Sequence, residues 1–265
     1  MPIQEKCRIL DHQKISDRFY KLTLVSPYIS SHAEPGQFVN IKCSEGLDPL
    51  LRRPLSIHRA SPDHKTFELL YEVVGKGTEL LRGHSVGEEV DVLGPLGQGF
   101  KVDPEKKIHV LVAGGMGVAP LLALGERITK HDSQATYVLI GAKNRDCVLC
   151  ENDFRKVTDQ VLVSTDDGSY GKKGLISDIL LDFLNNTLSI VDGRLSAVYA
   201  CGPKPMLKAI AEIAFQKKID YQVSMEERMA CGVGACKGCP VKTKSGYKMV
   251  CKDGPVFRAE EIVWN

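Results

Sequence analysis

Up to about residue 100, apolar and polar positions alternate in short runs: CRILDHQKI, FYKLTLVS, QFVNIKC, PLSIHRA, FELLYEVVG and EEVDVLGP. Pro35-Gly36, Ser61-Pro62-Asp63 and Gly94-Pro95-Leu96-Gly97 break them. A period of two, punctuated by turn residues and with little helical signal, predicts short strands closing into a small antiparallel barrel. One stretch departs from this: at Gly77-Thr78-Glu79-Leu80-Leu81-Arg82, Thr78 could cap a short helix whose free amides face an anion.

From about residue 106 the rhythm changes. Apolar β-branched runs IHVLVAGG, ATYVLIGA, QVLVST, SAVYACG and DYQVSM alternate with the helical patterns VAPLLALGERITKH, NRDCVLCENDFRKV, LISDILLDFLN and KPMLKAIAEIAFQKK. That alternation predicts a doubly wound parallel α/β sheet covered on both faces. The remainder, rich in glycine and cysteine, is too small to build a core of its own. The expected organisation is therefore three domains, 1–102, 103–225 and 226–265.

Composition changes little in this picture. The chain has 265 residues, 43% hydrophobic and 26% charged, as in ordinary globular proteins. Its 35 basic and 33 acidic residues form no basic block, which disfavours nucleic acid as a partner. The start, MPIQEKCRILDHQKI, lacks the apolar core of a signal peptide, and no apolar run is long enough to span a membrane, so a cytoplasmic, membrane-free protein is expected.

Nine cysteines do need explaining. Cys231, Cys236, Cys239 and Cys251 are spaced C-x4-C-x2-C with a fourth further on, the ligand pattern of a plant-type [2Fe-2S] cluster. Gly232, Gly234 and Gly238 let the backbone wrap closely and aim amides at sulfur. A four-thiolate zinc site is the alternative, although zinc ribbons usually carry two close C-x2-C pairs. A disulfide framework fits poorly with a chain of this length and no mark of secretion. Cys7 and Cys43 read as packing residues. Cys147 and Cys150 form a second C-x2-C that could be half of a zinc site with Cys236 and Cys239, or a redox pair, but at a helix start they too read as packing.

Ile108 to Pro120 runs from a buried strand through Gly114, Gly115 and Gly117 into a helix with Pro120 in its first turn. Such glycines permit close approach of a pyrophosphate, although a plain strand-helix connection is the commoner origin of such a turn. Tyr199-Ala200-Cys201-Gly202-Pro203 is a second turn of this kind, and two at the carboxyl edge of one sheet would border a ligand crevice. Cys201 could sit beside a nicotinamide or be a buried thiol. Ser164 to Gly171 offers Asp166 and Asp167 to ribose hydroxyls; Arg145 could face a 2'-phosphate that those acids would repel. In the barrel, Arg53 and Ser56 could grip a diphosphate or lie on an ordinary basic turn.

Arg53-Pro54-Leu55-Ser56, Gly75-Lys76-Gly77-Thr78, the GGMGVAP turn and Cys201-Gly202-Pro203 resemble, in order, the motifs of the ferredoxin reductase superfamily. The resemblance implies a flavin-binding barrel and a nicotinamide-dinucleotide domain. Arg53, Pro54, Leu55 and Ser56 would hold FAD phosphate and ring edge. Leu70, Tyr71 and Glu72 would line the flavin, and Gly77 and Thr78 would bind its pyrophosphate. Leu55 replaces the tyrosine that stacks on the ring in many members.

The tail, Glu226 to Cys236 and Val250 to Phe257, is similar to that of the electron transfer subunit family of B-type dihydroorotate dehydrogenases. That resemblance implies FAD, a [2Fe-2S] cluster and NAD as co-substrate. It also implies a catalytic, FMN-binding dihydroorotate dehydrogenase partner in a heterotetramer with two copies of each subunit, serving pyrimidine biosynthesis. Electron counting agrees, because nicotinamide exchanges two electrons as hydride, the cluster exchanges one, and a flavin does both. The competing readings are a flavin and iron-sulfur reductase subunit of another complex, such as a sulfhydrogenase, and a non-catalytic zinc-binding regulatory protein.

Overall fold

The computed structural model describes residues 1–130, 135–186 and 196–264. They divide into two compact units, one of Met1–Gly99, Glu226–Val241 and Tyr247–Pro255, the other of Phe100–Met225, Lys242–Gly246 and the residues from Val256 on.

In the first unit, β1 (Ile3–Lys14), β2 (Phe19–Val25), β3 (Phe38–Ile41), β4 (Arg53–Ser61), β5 (Thr66–Glu72) and β6 (Glu89–Leu96) close into a barrel in the order β1-β2-β5-β4-β3-β6. Neighbours pair antiparallel, as alternation predicts. One face of each strand fills the interior, where Leu22, Leu24, Val39, Ile41, Ile57, Phe67, Leu69 and Tyr71 pack together. Cys7 and Cys43 belong to this core, and burial pushes their thiols up to about 12 and about 11, so they are neutral packing residues.

Two helices join the barrel strands. α1 (Pro27–His32) has no periodic signature in so short a run; Ser26 starts it, its Oγ accepting from the Ile29 amide at 2.9 Å. α2 (Lys76–Arg82) begins one turn earlier than a Thr78 cap would require, with Gly75 at the cap. Thr78 instead reaches back from the first turn, its Oγ1 accepting from the amides of Val74 (3.0 Å) and Gly75 (3.3 Å).

The second unit holds β7 (Ile108–Gly114), β8 (Ala135–Ala142), β9 (Val161–Thr165), β10 (Lys172–Lys173), β11 (Ser196–Cys201) and β12 (Asp220–Ser224). The cysteine-rich segment adds a hairpin, β13 (Pro240–Thr243) and β14 (Gly246–Met249), before β15 (Val256–Arg258). The sheet order is β10-β9-β8-β7-β11-β12-β15, parallel except for β15, which pairs antiparallel with β12 from Ser224↔Val256 onward. In β7, Val110, Leu111, Val112 and Ala113 are all buried, so side chains on both faces are covered. The helices are α3 (Leu122–Ile128), α4 (Glu151–Arg155), α5 (Ile176–Asn186), α6 (Lys204–Lys217) and, in the cysteine-rich segment, α7 (Val250–Asp253).

Two predicted helices are broken. The one expected over 118–131 is a 3-10 turn, Gly115–Val118, followed by α3; Pro120 lies between them and outside the first turn of α3, and His131 falls outside the described residues. The one expected over 144–157 splits because Asn144 caps a 3-10 turn at Arg145–Cys147 and Cys150 takes a left-handed conformation, φ 61°, with Leu149 buried between. Cys147 and Cys150 are consequently half-buried rather than packed in a helix.

Candidate cofactor sites

Adjacent arginines at the start of β4 have different surroundings. Arg52 is neutralised, its Nη2 lying 2.9 Å from Asp91 Oδ2 while its Nη1 donates to the Asp91 carbonyl at 3.0 Å. Burial works against the Asp91 carboxylate, but bonds from Arg52 and Gln4 outweigh it and hold the carboxyl below its ordinary range. Arg53 bonds only to the carbonyls of Leu51 (2.6 Å) and Arg52 (3.3 Å), with no carboxylate partner among the described residues. Its side chain lies across Gly77, where an added Cβ would come 2.6 Å from Nε. Two motifs far apart in sequence thus meet, and the meeting needs glycine.

Of the other flavin candidates, Leu55 is half-buried against the barrel core, Leu70 is 3% exposed, and Glu72 pairs with Arg18 at 2.6 Å. The Tyr71 side chain does not face outward as a ring-lining group would. It is 1% exposed in the barrel core, its hydroxyl 2.8 Å from His12 Nε2, so only its backbone is free to meet a ligand. The Thr78 hydroxyl is likewise committed to its own helix start, leaving its amide.

In the parallel sheet, the two glycine turns close on each other. β7 and β11 are neighbours, with Cys201 opposite Ala113. A Cβ on Gly117 would sit 1.9 Å from the Cys201 carbonyl oxygen, and one on Gly114 2.6 Å from Met206 Sδ and 2.9 Å from Pro203 Cδ. Gly202, at φ 157°, packs against the Gly114 backbone. Gly115, at φ 54°, follows β7 at its carboxyl edge, and a Cβ there would meet no described atom within 4 Å. The turn after β9 carries the ribose candidates. Asp167 Oδ1 accepts from the Ser169 amide (2.9 Å) and hydroxyl (2.7 Å), bonds that hold its carboxyl below the ordinary range. The Arg145 guanidinium lies over the Tyr170 ring at 5.6 Å.

The cysteine loop is built for sulfur. Cys231 Sγ accepts from the amides of Cys236 (3.4 Å) and Val233 (3.5 Å), Cys251 Sγ from Gly234 (3.1 Å), and Cys239 Sγ from Cys251 (3.4 Å). Desolvation opposes ionisation of Cys231, yet these amides bring its thiol down to about 6, making it a ready thiolate. Burial and the neighbouring Cys239 push Cys251 to about 12, so its ligation would release a proton. Gly232 (φ 73°) and Gly234 (φ 81°) are required by conformation and by space, since added Cβ atoms would come 2.6 Å from Asn40 Nδ2 and 2.7 Å from Lys252 Cδ. The thiols associate as two pairs, Cys231 with Cys236 and Cys239 with Cys251. Among the described residues no three ligating side chains converge as on a single ion. Two thiol pairs suit a two-iron centre better than one tetrahedral zinc.

Sequence reasoning passed over Asn40 and Arg145 with Tyr170 as structural contacts. Asn40 had a signal, being the lone polar residue in the apolar run Phe38-Val39-Asn40-Ile41.

A closed antiparallel barrel, a parallel nucleotide-type sheet and a four-thiol loop define a ferredoxin-reductase-type electron-transfer protein. Residues 226–263 match the iron-sulfur cluster binding domain of dihydroorotate dehydrogenase B, and residues 111–212 the oxidoreductase NAD-binding domain. The dihydroorotate dehydrogenase B (NAD(+)) electron transfer subunit of Geobacillus thermodenitrificans is 42% identical over 98% of both chains, and that of Desulforamulus reducens 39% identical over 97% of both. The chain belongs to this family of electron transfer subunits. Among solved structures, a chain of an NADH-dependent reduced ferredoxin-NADP oxidoreductase is 30% identical with a TM-score of 0.85, over 97% of this chain and 90% of that one. A ferredoxin NADP+ reductase from Neisseria gonorrhoeae with bound FAD and NADP shares the fold at TM-score 0.67 and 16% identity, over 81% and 91% of the chains.

Proposed function

We propose that this chain is an oxidoreductase subunit that carries electrons from a catalytic dihydroorotate dehydrogenase partner to NAD+, in pyrimidine biosynthesis. The observation carrying this reading is the paired-thiol loop on a barrel that also presents Arg53 beside Gly77. Cys231, Cys236, Cys239 and Cys251 would hold the [2Fe-2S] cluster, and FAD, when bound, would exchange hydride with nicotinamide and single electrons with the cluster. Arg53, Ser56, Gly77 and the Thr78 amide would hold the FAD diphosphate. Pro54, Leu55, Leu70 and the backbone of Tyr71 and Glu72 would border its ring. Gly114, Gly115, Gly117, Cys201, Gly202 and Pro203 would frame the nicotinamide nucleotide, with Asp166 and Asp167 favouring NAD over its 2'-phosphorylated form. The protein groups bind, orient and tune. The partner would oxidise dihydroorotate to orotate on FMN, in a cytoplasmic heterotetramer of two copies of each subunit. Among the described residues no helix is long and apolar enough to cross a membrane.

The likeness to the NADH-dependent reduced ferredoxin-NADP oxidoreductase chain supports a second reading, the same relay serving a different partner. Two measurements separate the possibilities. An absorption spectrum of anaerobically purified protein, with flavin, iron and zinc quantified, should show flavin and cluster bands with one FAD and two irons per chain; zinc without flavin would overturn the relay. Dihydroorotate should then bleach these bands only when a co-purifying FMN subunit is added, and bleaching by reduced ferredoxin instead would favour the second reading.

Arg53→Ala tests the flavin assignment. Removing an unneutralised charge-assisted donor costs about 1.5–3 kcal/mol, so FAD affinity should fall roughly ten- to hundredfold. Iron should be retained, and stoichiometric FAD after dialysis would refute the role of Arg53.

A further inference from the structure

Asn40 is 0% exposed in β3, where a primary amide amid apolar neighbours must find partners. The backbone carbonyl of Asn40 accepts from Arg52 Nη1 at 3.4 Å, the guanidinium already anchored on Asp91. Its side-chain Nδ2 donates to the carbonyl of Cys231 at 3.4 Å and lies close against Gly232. The reverse orientation of the amide would set Oδ1 against the Cys231 carbonyl, two acceptors face to face, so the donor orientation is fixed by its neighbour. Oδ1 is buried with no hydrogen-bond partner among the described residues, which leaves the Nδ2 bond to Cys231 as the side chain's one hydrogen bond there.

We propose that Asn40 is a positioning residue for the Cys231 arm of the cysteine loop. The amides that bond Cys231 Sγ belong to Val233 and Cys236, two and five residues on. Their aim depends on where the Cys231 peptide is pinned, and Asn40 pins it to a strand that is itself tied down through Arg52. Amide bonds to ligand sulfur are a principal control on cluster properties. Asn40 therefore acts on the cluster through Cys231, without touching the metal site. The inference rests on the reading of the four thiols as cluster ligands.

The test uses full-length protein and the variants Asn40→Ala and Asn40→Asp. Both should keep stoichiometric FAD while the EPR spectrum of the dithionite-reduced cluster shifts its g-values and its midpoint potential moves. Iron loss to a chelator should quicken about fivefold in Asn40→Ala, the factor for one ordinary hydrogen bond, and more in Asn40→Asp, whose carboxylate opposes the Cys231 carbonyl. Unchanged EPR, potential and iron-release rate in both would overturn the proposal, as would parallel loss of FAD and iron. If Asn40→Ala and Asn40→Asp do not fold, Asn40→Ser removes the reach of the amide while keeping a polar side chain on β3. An altered cluster spectrum with FAD intact supports the proposal, and an unaltered one overturns it. A wild-type protein with no two-iron signal would instead overturn the reading of the thiols, and the inference with it.

Discussion

Gly117→Ala is expected to lower stability by on the order of 3 kcal/mol and to raise the KM for NADH at least about tenfold. The new Cβ would lie 1.9 Å from the Cys201 carbonyl oxygen, 2.4 Å from its carbon and 2.9 Å from the Gly202 nitrogen. These are backbone atoms at the end of β11, and unlike a side chain they cannot rotate away. The turn after β7 must separate from the turn after β11, displacing the glycines proposed to frame the nicotinamide nucleotide. Gly115→Ala is the control: it meets no atom but forces a non-glycine residue to φ 54°, a cost of roughly 1–2 kcal/mol without a clash. Calorimetry and NADH titration of the two variants check this ordering. FAD and iron contents should be unchanged in both. A Gly117→Ala protein that melts with the wild type would show that the two turns are not in contact.

Cys236→Ser should reduce electron transfer to or from a one-electron partner by more than about a hundredfold, since losing a ligand exceeds the 10–100-fold typical of outer-shell changes. It is the cleanest of the four ligand substitutions. Cys236 is exposed, whereas Cys239 and Cys251 are buried and bonded to each other's surroundings, so their loss would also disturb packing. FAD content and direct NADH-to-dye reduction should persist. Iron analysis, EPR and a diaphorase assay read these effects separately, and simultaneous loss of FAD would show that flavin and thiol sites are not independent.

The barrel was legible because strands such as β2 and β6 have one drier and one wetter face, which writes a period of two into the runs FYKLTLV and EEVDVLG. Parallel strands were legible as continuous apolar runs for the opposite reason. Elements fixed by local capping rather than periodicity escaped: the Asn144 turn, the left-handed Cys150 and the six-residue α1. So did β15, three residues whose pairing depends on a strand more than thirty positions away. Cysteine spacing singled out the four thiols of the loop as candidate ligands. Sequence alone does not say why Arg53 rather than Arg52 is available, because only the fold reveals that Asp91 neutralises Arg52. Nor could it tell that Tyr71 turns its ring inward to His12.

The pairing of Ser224 with Val256 means that the whole cysteine-rich stretch leaves and returns at one point of a hydrogen-bonded ladder. Its ends are held together whether or not metal is present. A chain whose ends are already joined has surrendered its closure entropy before the thiols meet, so assembly of the ligand set begins from a tethered ring rather than a free tail. Stripping iron should accordingly loosen a sealed excursion and leave the ladder at its base intact.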